Sequence, residues 1–166
     1  MAAALSGLLV ALLTLPILPV ATYARTTLPA AVPDTANQVG WPQFVSTVQQ
    51  VVEALPPVQR AHAVILTNDY SEASPLVLLG TGLPPVYSGH NAYWDWGPPP
   101  ADRTVVVHAG DWRPADWTQY FVDCHDVAHI DNELGIDNSE QGAAVTICRG
   151  TRAPWTVMWP ALPTIS

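Results

Sequence analysis

The segment 88–97 holds an unusual combination of side chains, because it reads SGHNAYWDWG and places three aromatic rings within four residues. The polar side chains beside those rings are His90, Asn91 and Asp95. A loop that exposes so many rings without a partner is unfavourable, so the rings either pack inward or bind a ligand. Flat ring faces beside amide and carboxylate groups suit a sugar, which has an apolar C–H face and a rim of hydroxyls. Inward packing of Trp94 and Trp96 at the base of the sheet is the alternative.

Two more polar segments follow predicted strands. Residues 68–72 come directly after a strand expected over 61–67, and residues 108–112 close a strand expected over 104–108. In an open α/β sheet, ligands bind at the carboxyl ends of the strands, where the connecting loops gather. We therefore expect these segments and the aromatic segment to form one ligand-binding edge. The residues predicted to bind substrate there are Asp69, Tyr70, Glu72, His90, Asn91, Tyr93, Trp94 and Trp96.

The loop expected over 130–142 reads IDNELGIDNSEQG and is rich in carboxylates and amides. Such oxygens can bind a cation or sugar hydroxyls, although their spacing does not match an EF-hand loop. An ordinary surface loop between two strands is the alternative. From this loop we add Asp131, Asn132, Asp137 and Glu140 to the predicted substrate-binding residues.

Other catalytic and cofactor motifs are missing from the sequence. There is no P-loop and no G-x-G-x-x-G segment after a strand, so no cofactor is predicted. Ser88 lacks the G-x-S-x-G context of an α/β-hydrolase nucleophile. His125 and His129 fall on a predicted strand, about 13 Å apart at ~3.3 Å per residue. That separation is too large for one shared zinc, and no metal is predicted.

Composition restricts the partners of the chain. The 166 residues carry a formal net charge of −8 and include no lysine. Such an acidic chain cannot neutralise a phosphate backbone, which excludes nucleic-acid binding. Hydrophobic residues make up 49% of the chain and charged residues only 12%, a composition that favours a folded protein over a disordered one. The length fits one domain.

The first 24 residues contain no charged side chain, and 5–21 reads LSGLLVALLTLPILPVA. This stretch is long enough for one crossing of a ~30 Å hydrocarbon core, so we predict a transmembrane helix over 1–24 and a lipid membrane as a partner. A cleaved signal peptide and a buried core helix are the alternatives. The first usually has a basic start and the second a polar face, and both features are missing here.

Residues 25–39 are predicted to be a linker, and 40–166 an extracytoplasmic domain. Cys124 and Cys148 are the only cysteines, and an even count favours one disulfide, which is typical of proteins outside the cytoplasm. Two buried free thiols are the alternative. Arg25, directly after the apolar stretch, gives a weak indication of the opposite orientation. We expect a single-pass chain in the cell membrane, with its C-terminal domain outside the cytoplasm.

The pattern of apolar residues predicts the helices and strands. A 3.6-residue period at 44–55, stopped by Pro56 and Pro57, predicts a helix that begins at Trp41. Further helices are expected over 71–80 and 115–121, and strands over 61–67, 85–88, 104–108, 123–130 and 143–148. Strands that alternate with helices predict an α/β fold with a small, mostly parallel sheet flanked by helices, preceded by the N-terminal transmembrane helix.

An ordered series of short motifs resembles a known family. The series consists of GWP at 40–42, Y-x-EA at 70–73, PPVYSGHN-x-YW-x-WGP at 84–98, IDN at 130–132, G-x-DN-x-EQG at 135–142 and CRG at 148–150. It resembles the C-terminal extracytoplasmic region of bacterial membrane glycosyltransferases of family 39 type, relatives of the protein mannosyltransferases. The aromatic segment is the most specific part of this resemblance. Asp69 and Ser71 depart from the family pattern, which has Asn and Gly there.

The resemblance implies an enzyme that takes a sugar from a polyprenyl-phosphate donor on the outer face of the membrane. Its acidic catalytic residues lie in an earlier extracytoplasmic loop, so no catalytic residue is predicted in this chain. The resemblance thus implies a fragment or free-standing relative of a hexosyltransferase, inactive alone. Such an accessory domain contacts sugar or a glycan acceptor and the membrane helices of the parent enzyme. The alternatives are a purely structural domain packed on membrane helices, and an independent hydrolase with His90 as base and Asp95 or Glu72 as its partner.

Overall fold

The computed structural model describes residues 6–7, 10–11, 17–110 and 119–162. A five-stranded sheet lies at its centre, with the strands in the order β2-β1-β3-β5-β4. The strands are β1 Ala63–Thr67, β2 Val86–Ser88, β3 Val105–Ala109, β4 Phe121–His129 and β5 Ala144–Thr151. The two longest described helices are α1, Trp41–Ala54, and α2, Tyr70–Leu79. Short helical turns span Val20–Tyr23, Leu28–Ala31, Pro33–Ala36, Pro57–Ala61, Ala92–Asp95, Trp155–Met158 and Trp159–Ala161.

Two apolar layers cover the two faces of the sheet. On one face, α1 and α2 bury Phe44, Val48 and Leu76 against alternate residues of β1, β3 and β5. On the other face, the C-terminal turns bury Trp155 and Trp159 against the remaining apolar residues of those strands. All five residues of β1 are buried, which agrees with their continuous apolar sequence, since a strand covered on both faces needs no polar side.

The α/β architecture and the order of the elements agree with the sequence prediction. Each predicted strand, and each of the helices predicted over 41–55 and 71–80, is present with its ends within three residues. The helix predicted over 115–121 is only partly open to comparison, because 111–118 lie outside the described residues. Its last residue, Phe121, begins β4 instead of ending a helix.

The sheet is mixed, so the prediction of a mostly parallel sheet is wrong. β1 runs parallel to β2 and β3, whereas β5 runs antiparallel to β3 and β4. A parallel pair needs a crossover connection, usually a helix, but only the loop 130–143 joins β4 to β5. The predicted disulfide is present: Cys124 and Cys148 lie directly opposite each other on these two strands.

Two sequence predictions concern the N-terminal region. Within the described ranges, every helix is too short or too polar to cross a lipid bilayer, so the transmembrane helix predicted over 1–24 has no support from the structure. Much of that stretch, however, lies outside the described residues. The segment predicted as a linker, 25–39, contains two helical turns and ends against the domain, because Ala36 is buried and the Asn138 side chain donates to the carbonyls of Ala36 and Val39.

Candidate functional site

Four loops meet at one edge of the sheet. Thr67, the last residue of β1, pairs with Ser88 and Ala109, which close β2 and β3, and Ala109 in turn pairs with Val145 near the start of β5. The loops that follow these three strands therefore lie at the same edge as the connection from β4 to β5. We call this the carboxyl edge, made of residues 68–72, 89–97, 110 and 130–143. The substrate-binding residues predicted from the sequence all belong to it, whereas 111–112, the end of the polar segment 108–112, lie outside the described residues.

The start of α2 is fixed by its own carboxylates. The Asp69 side chain accepts hydrogen bonds from the backbone N–H groups of Ser71 and Glu72, at 2.6 and 3.3 Å. Glu72 in return accepts from the N–H groups of Asn68 and Asp69, at 2.7 and 3.1 Å. This reciprocal arrangement is a capping box, which satisfies backbone donors that a helix start otherwise leaves unpaired. Both predicted site residues, Asp69 and Glu72, therefore also serve the fold.

Glu72 is a buried acid, only 3% exposed. Its carboxyl group lies against the backbone of Gly110, where an added Cβ would overlap the carboxyl oxygens. Burial raises the pKa of Glu72 from 4.5 to about 9, and the nearby Glu140 carboxylate adds to the rise. Glu72 is therefore protonated at neutral pH. The structure thus brings together two predicted residues from distant parts of the sequence, Glu72 and Glu140.

Asn68 joins three parts of the carboxyl edge. Its backbone N–H binds Glu72, and its side-chain Oδ1 lies 2.8 Å from Nε2 of His108 on β3. Its backbone carbonyl accepts from the Ser88 hydroxyl at 3.3 Å, and that hydroxyl accepts from the backbone N–H of His90 at 3.2 Å. The start of α2, the end of β3 and the aromatic segment are therefore held in one hydrogen-bond network.

Asn68, Ser88 and His108 are absent from the residues predicted to bind substrate. The signal that could have found them is the position of His108 at the end of the apolar run TVVVH. An imidazole in a buried strand needs a polar partner, since a buried polar group without one is costly. The sequence does not identify that partner, because Asn68 follows β1 and lies 40 residues before His108.

The indole of Trp94 has a structural role. Its Nε1–H donates to the backbone carbonyl of Trp159 at 3.2 Å, and Trp159 Nε1–H donates to the carbonyl of Trp94 at 3.1 Å. Trp94 is half-buried and packs against the C-terminal apolar layer. Inward packing, the alternative to a sugar platform, therefore describes Trp94.

The indole of Trp96 points to solvent, with 71% of its surface exposed. Its ring contacts that of Tyr93, at 4.4 Å between centroids and 47° between planes. Beside this pair, the half-exposed ring of Tyr70 stacks on the buried imidazole of His90, at 5.2 Å and 9°. Ser74 connects the two pairs, because its hydroxyl donates to the Tyr70 carbonyl and lies 3.5 Å from the Tyr93 hydroxyl. We call these four rings the aromatic surface.

Asn91, within the aromatic segment, has a strained backbone. Its dihedral angles are φ 50° and ψ −136°, a region that side chains with a Cβ rarely occupy. The neighbouring turn fixes this conformation, since the backbone N–H groups of Tyr93 and Trp94 donate to the carbonyls of His90 and Asn91. Strain of this kind is concentrated at functional sites.

The acidic loop 130–142 is organised mainly by its amides. The buried side chain of Asn132 donates to the Ile136 carbonyl and accepts from the Leu134 and Ile136 N–H groups. Hydrogen bonds from the Glu133 N–H and the Gln141 side chain lower the pKa of the exposed Asp131 carboxyl. Of the residues predicted to bind substrate in this loop, Asn132 and Asp131 thus hold the loop, Asp137 is exposed, and Glu140 is buried near Glu72.

The described part of the chain has no cluster of three or more possible protein ligands for a metal ion. His125 and His129 lie on β4, as predicted. Comparison of the chain with protein families, with curated proteins and with solved structures gave no match.

Proposed function

We propose that residues 40–162 form an accessory extracytoplasmic domain of a membrane glycosyltransferase, in which the aromatic surface contacts the sugar or the glycan acceptor. The motif series at 40–150 supplies the class of enzyme by its resemblance to family 39 glycosyltransferases. The Tyr93–Trp96 ring pair, in which the Trp96 indole is exposed, is the observation that carries the sugar contact. Catalysis belongs to the membrane part of the enzyme, so this chain alone transfers no sugar.

The aromatic surface is well placed for a sugar because its support is rigid. Trp94 is hydrogen-bonded to Trp159, and the His90 backbone N–H is hydrogen-bonded to Ser88. Gly89 packs so closely on the Leu162 carbonyl that a Cβ would not fit. A surface ordered before binding loses little conformational entropy on binding. Tyr and Trp rings offer apolar faces to sugar C–H groups, and the Tyr70 and Tyr93 hydroxyls can exchange hydrogen bonds with sugar hydroxyls.

A structural role on membrane helices is the second candidate, and a different surface favours it. Three consecutive residues at the end of α2, Val77, Leu78 and Leu79, expose more than half of their side-chain surface. An apolar patch of this kind is typical of a surface that meets another apolar surface. This candidate predicts that substitutions at Trp96 leave every measured property except local fluorescence unchanged.

The two candidates are separated by a sugar-binding measurement on the full chain in detergent micelles. We expect methyl α-mannoside to give saturation-transfer NMR signals with the wild-type chain, and Trp96→Ala to abolish them. Val58→Ala is the matched control, because Val58 is equally exposed but lies on the turn before β1, at the opposite edge. Equal signals from the two variants would exclude the aromatic surface as the sugar contact.

A further inference from the structure

Charge is unevenly distributed along the strand direction in the described part of the domain, although Asp102 and Asp123 pair with Arg103 and Arg149 at the edge that holds the arginines. Within residues 40–110 and 119–162, the four arginines lie at the edge where β1, β3 and β4 begin. Arg60 donates to carbonyls at the end of α1, and Arg103 donates to the carbonyls of Ala61 and Ala63. Arg149 lies opposite Val105, the first residue of β3, and Arg152 donates to the carbonyl of Phe121, the first residue of β4.

The carboxyl edge has the opposite character. Besides Glu72, which is protonated at neutral pH, its acidic residues are Asp69, Asp95, Asp131, Glu133, Asp137 and Glu140, and its histidine is His90; His108 and His129 lie on the adjoining ends of β3 and β4. No arginine belongs to it among the described residues of the domain.

Because carboxylates outnumber cations at the carboxyl edge, we expect a negative potential over the aromatic surface. Carboxylates at the rim of a surface of low dielectric repel anions and attract cations over about 10 Å at 0.1 M salt. Asp69, which caps α2, directly precedes Tyr70 in the chain, and Asp95 stands between Trp94 and Trp96 in the sequence. Any ligand that reaches these rings approaches through that potential.

We propose that the aromatic surface selects its ligand by charge, and takes uncharged or positively charged sugars in preference to phosphorylated ones. This inference rests on the proposed function, because it concerns the sugar that the rings contact. Of the two substrates of a polyprenyl-phosphate-dependent transferase, the donor carries a phosphate next to its sugar. The charge of the carboxyl edge therefore assigns the aromatic surface to the acceptor.

Three sugars of similar size test this selection on the full chain in detergent micelles. They are methyl α-mannoside, mannose 1-phosphate and glucosamine, which are neutral, anionic and cationic. At low salt we expect mannose 1-phosphate to bind about tenfold more weakly than the neutral sugar, and the difference to shrink at high salt. Glu140→Gln should narrow the difference, whereas Glu53→Gln, which removes an exposed acid at the opposite end of α1, should preserve it. Equal affinity for the three sugars at low salt would overturn the inference.

A second measurement keeps the charge selection testable without any bound sugar. The fluorescence of Trp96 is obtained as the difference between the wild-type chain and Trp96→Phe. Its quenching by anionic iodide, cationic caesium and neutral acrylamide is then measured. Each quenching constant is divided by that of a free tryptophan derivative. Relative to the free derivative, we expect iodide to quench Trp96 less than caesium does. This difference between the two ions should be smaller in Glu140→Gln. If no sugar binds but this contrast is present, the proposed function fails and the charge selection stands. Equal scaled quenching by the two ions would overturn the charge selection itself.

Discussion

Trp94 and Trp159 are joined by two reciprocal hydrogen bonds, in which each indole N–H donates to the backbone carbonyl of the other residue. This pair fastens the aromatic segment to the C-terminal turn, 65 residues away in the sequence. Because the Trp94 ring is used in this way, Trp96 is the tryptophan of the segment that remains on the surface. Two tryptophans that are almost adjacent in the sequence therefore have different roles.

The two tryptophans should respond differently to truncation. Trp94→Ala removes a packed indole and also disturbs the position of the residue-94 carbonyl, which accepts from the Trp159 indole. We therefore expect a loss of about 2–4 kcal/mol in the free energy of unfolding. Trp96→Ala removes an exposed ring and should change that free energy by no more than about 0.5 kcal/mol. Urea unfolding followed by circular dichroism measures both values. Similar losses in the two variants would contradict the assigned roles.

The strained backbone at Asn91 predicts a substitution that stabilises the chain. Glycine occupies positive φ without steric cost, so Asn91→Gly should raise the free energy of unfolding by about 1 kcal/mol. Asn91→Ala keeps the strain and loses the amide, and is the control that should not stabilise the chain. Thermal unfolding of the wild-type chain and the two variants measures these differences in stability. Destabilisation by glycine would show that Asn91 is not strained.

The sequence was sufficient for most of the fold because the signals were local. The apolar period of α1, its proline stop and the continuous apolar run of β1 fix these elements without knowledge of their neighbours. The direction of β5 could not be predicted in this way. It depends on whether the chain between β4 and β5 crosses the sheet, and 123–130 and 143–148 read equally well as parallel or antiparallel strands.

For the candidate site, the sequence predicted the edge but not the part that each residue plays in it. Glu72 and Glu140 were both selected, yet their proximity follows from the path of the 130–142 loop, which no local pattern encodes. Asn68 is not among the predicted residues because two of its three partners, Ser88 and His108, lie 20 and 40 residues away in the sequence. The separate roles of Trp94 and Trp96 depend on Trp159, which belongs to the apolar layer formed by the C-terminal turns.

The buried acid at the start of α2 predicts how stability depends on pH. The pKa of Glu72 is raised in the folded protein, from 4.5 to about 9, so its neutral form is the one that the fold favours. The stabilisation is fully present below pH ~4.5 and is lost as the pH rises towards 9. Glu72→Gln cannot ionise and should remove this part of the pH dependence.

Urea unfolding at several values between pH 5 and pH 9 tests this prediction. The wild-type free energy of unfolding should fall across that range more steeply than that of Glu72→Gln. Glu53→Gln, with its acid exposed at the end of α1, should retain the wild-type slope. Parallel pH profiles for wild type and Glu72→Gln would show that Glu72 is not the group that titrates.

The disulfide between Cys124 and Cys148 should stabilise the chain against unfolding. It closes a loop with a sequence separation of 24, which corresponds to about 3 kcal/mol of lost entropy in the unfolded state. The double variant Cys124→Ala/Cys148→Ala and the reduced wild-type chain should both lose about that amount. Reduction alone leaves the sulfur atoms in place, so a large gap between the two measurements would mean that packing and not the cross-link is responsible.

The central claim, that the aromatic surface binds a sugar through Trp96 and not through Trp94, is tested most directly by labelling the tryptophans with fluorine. Each ¹⁹F resonance is assigned by single substitution, and methyl α-mannoside is then titrated into the full chain. We predict a saturable shift of the Trp96 resonance and a constant Trp94 resonance. A constant Trp96 resonance, or an equal shift at Trp94, would contradict the account.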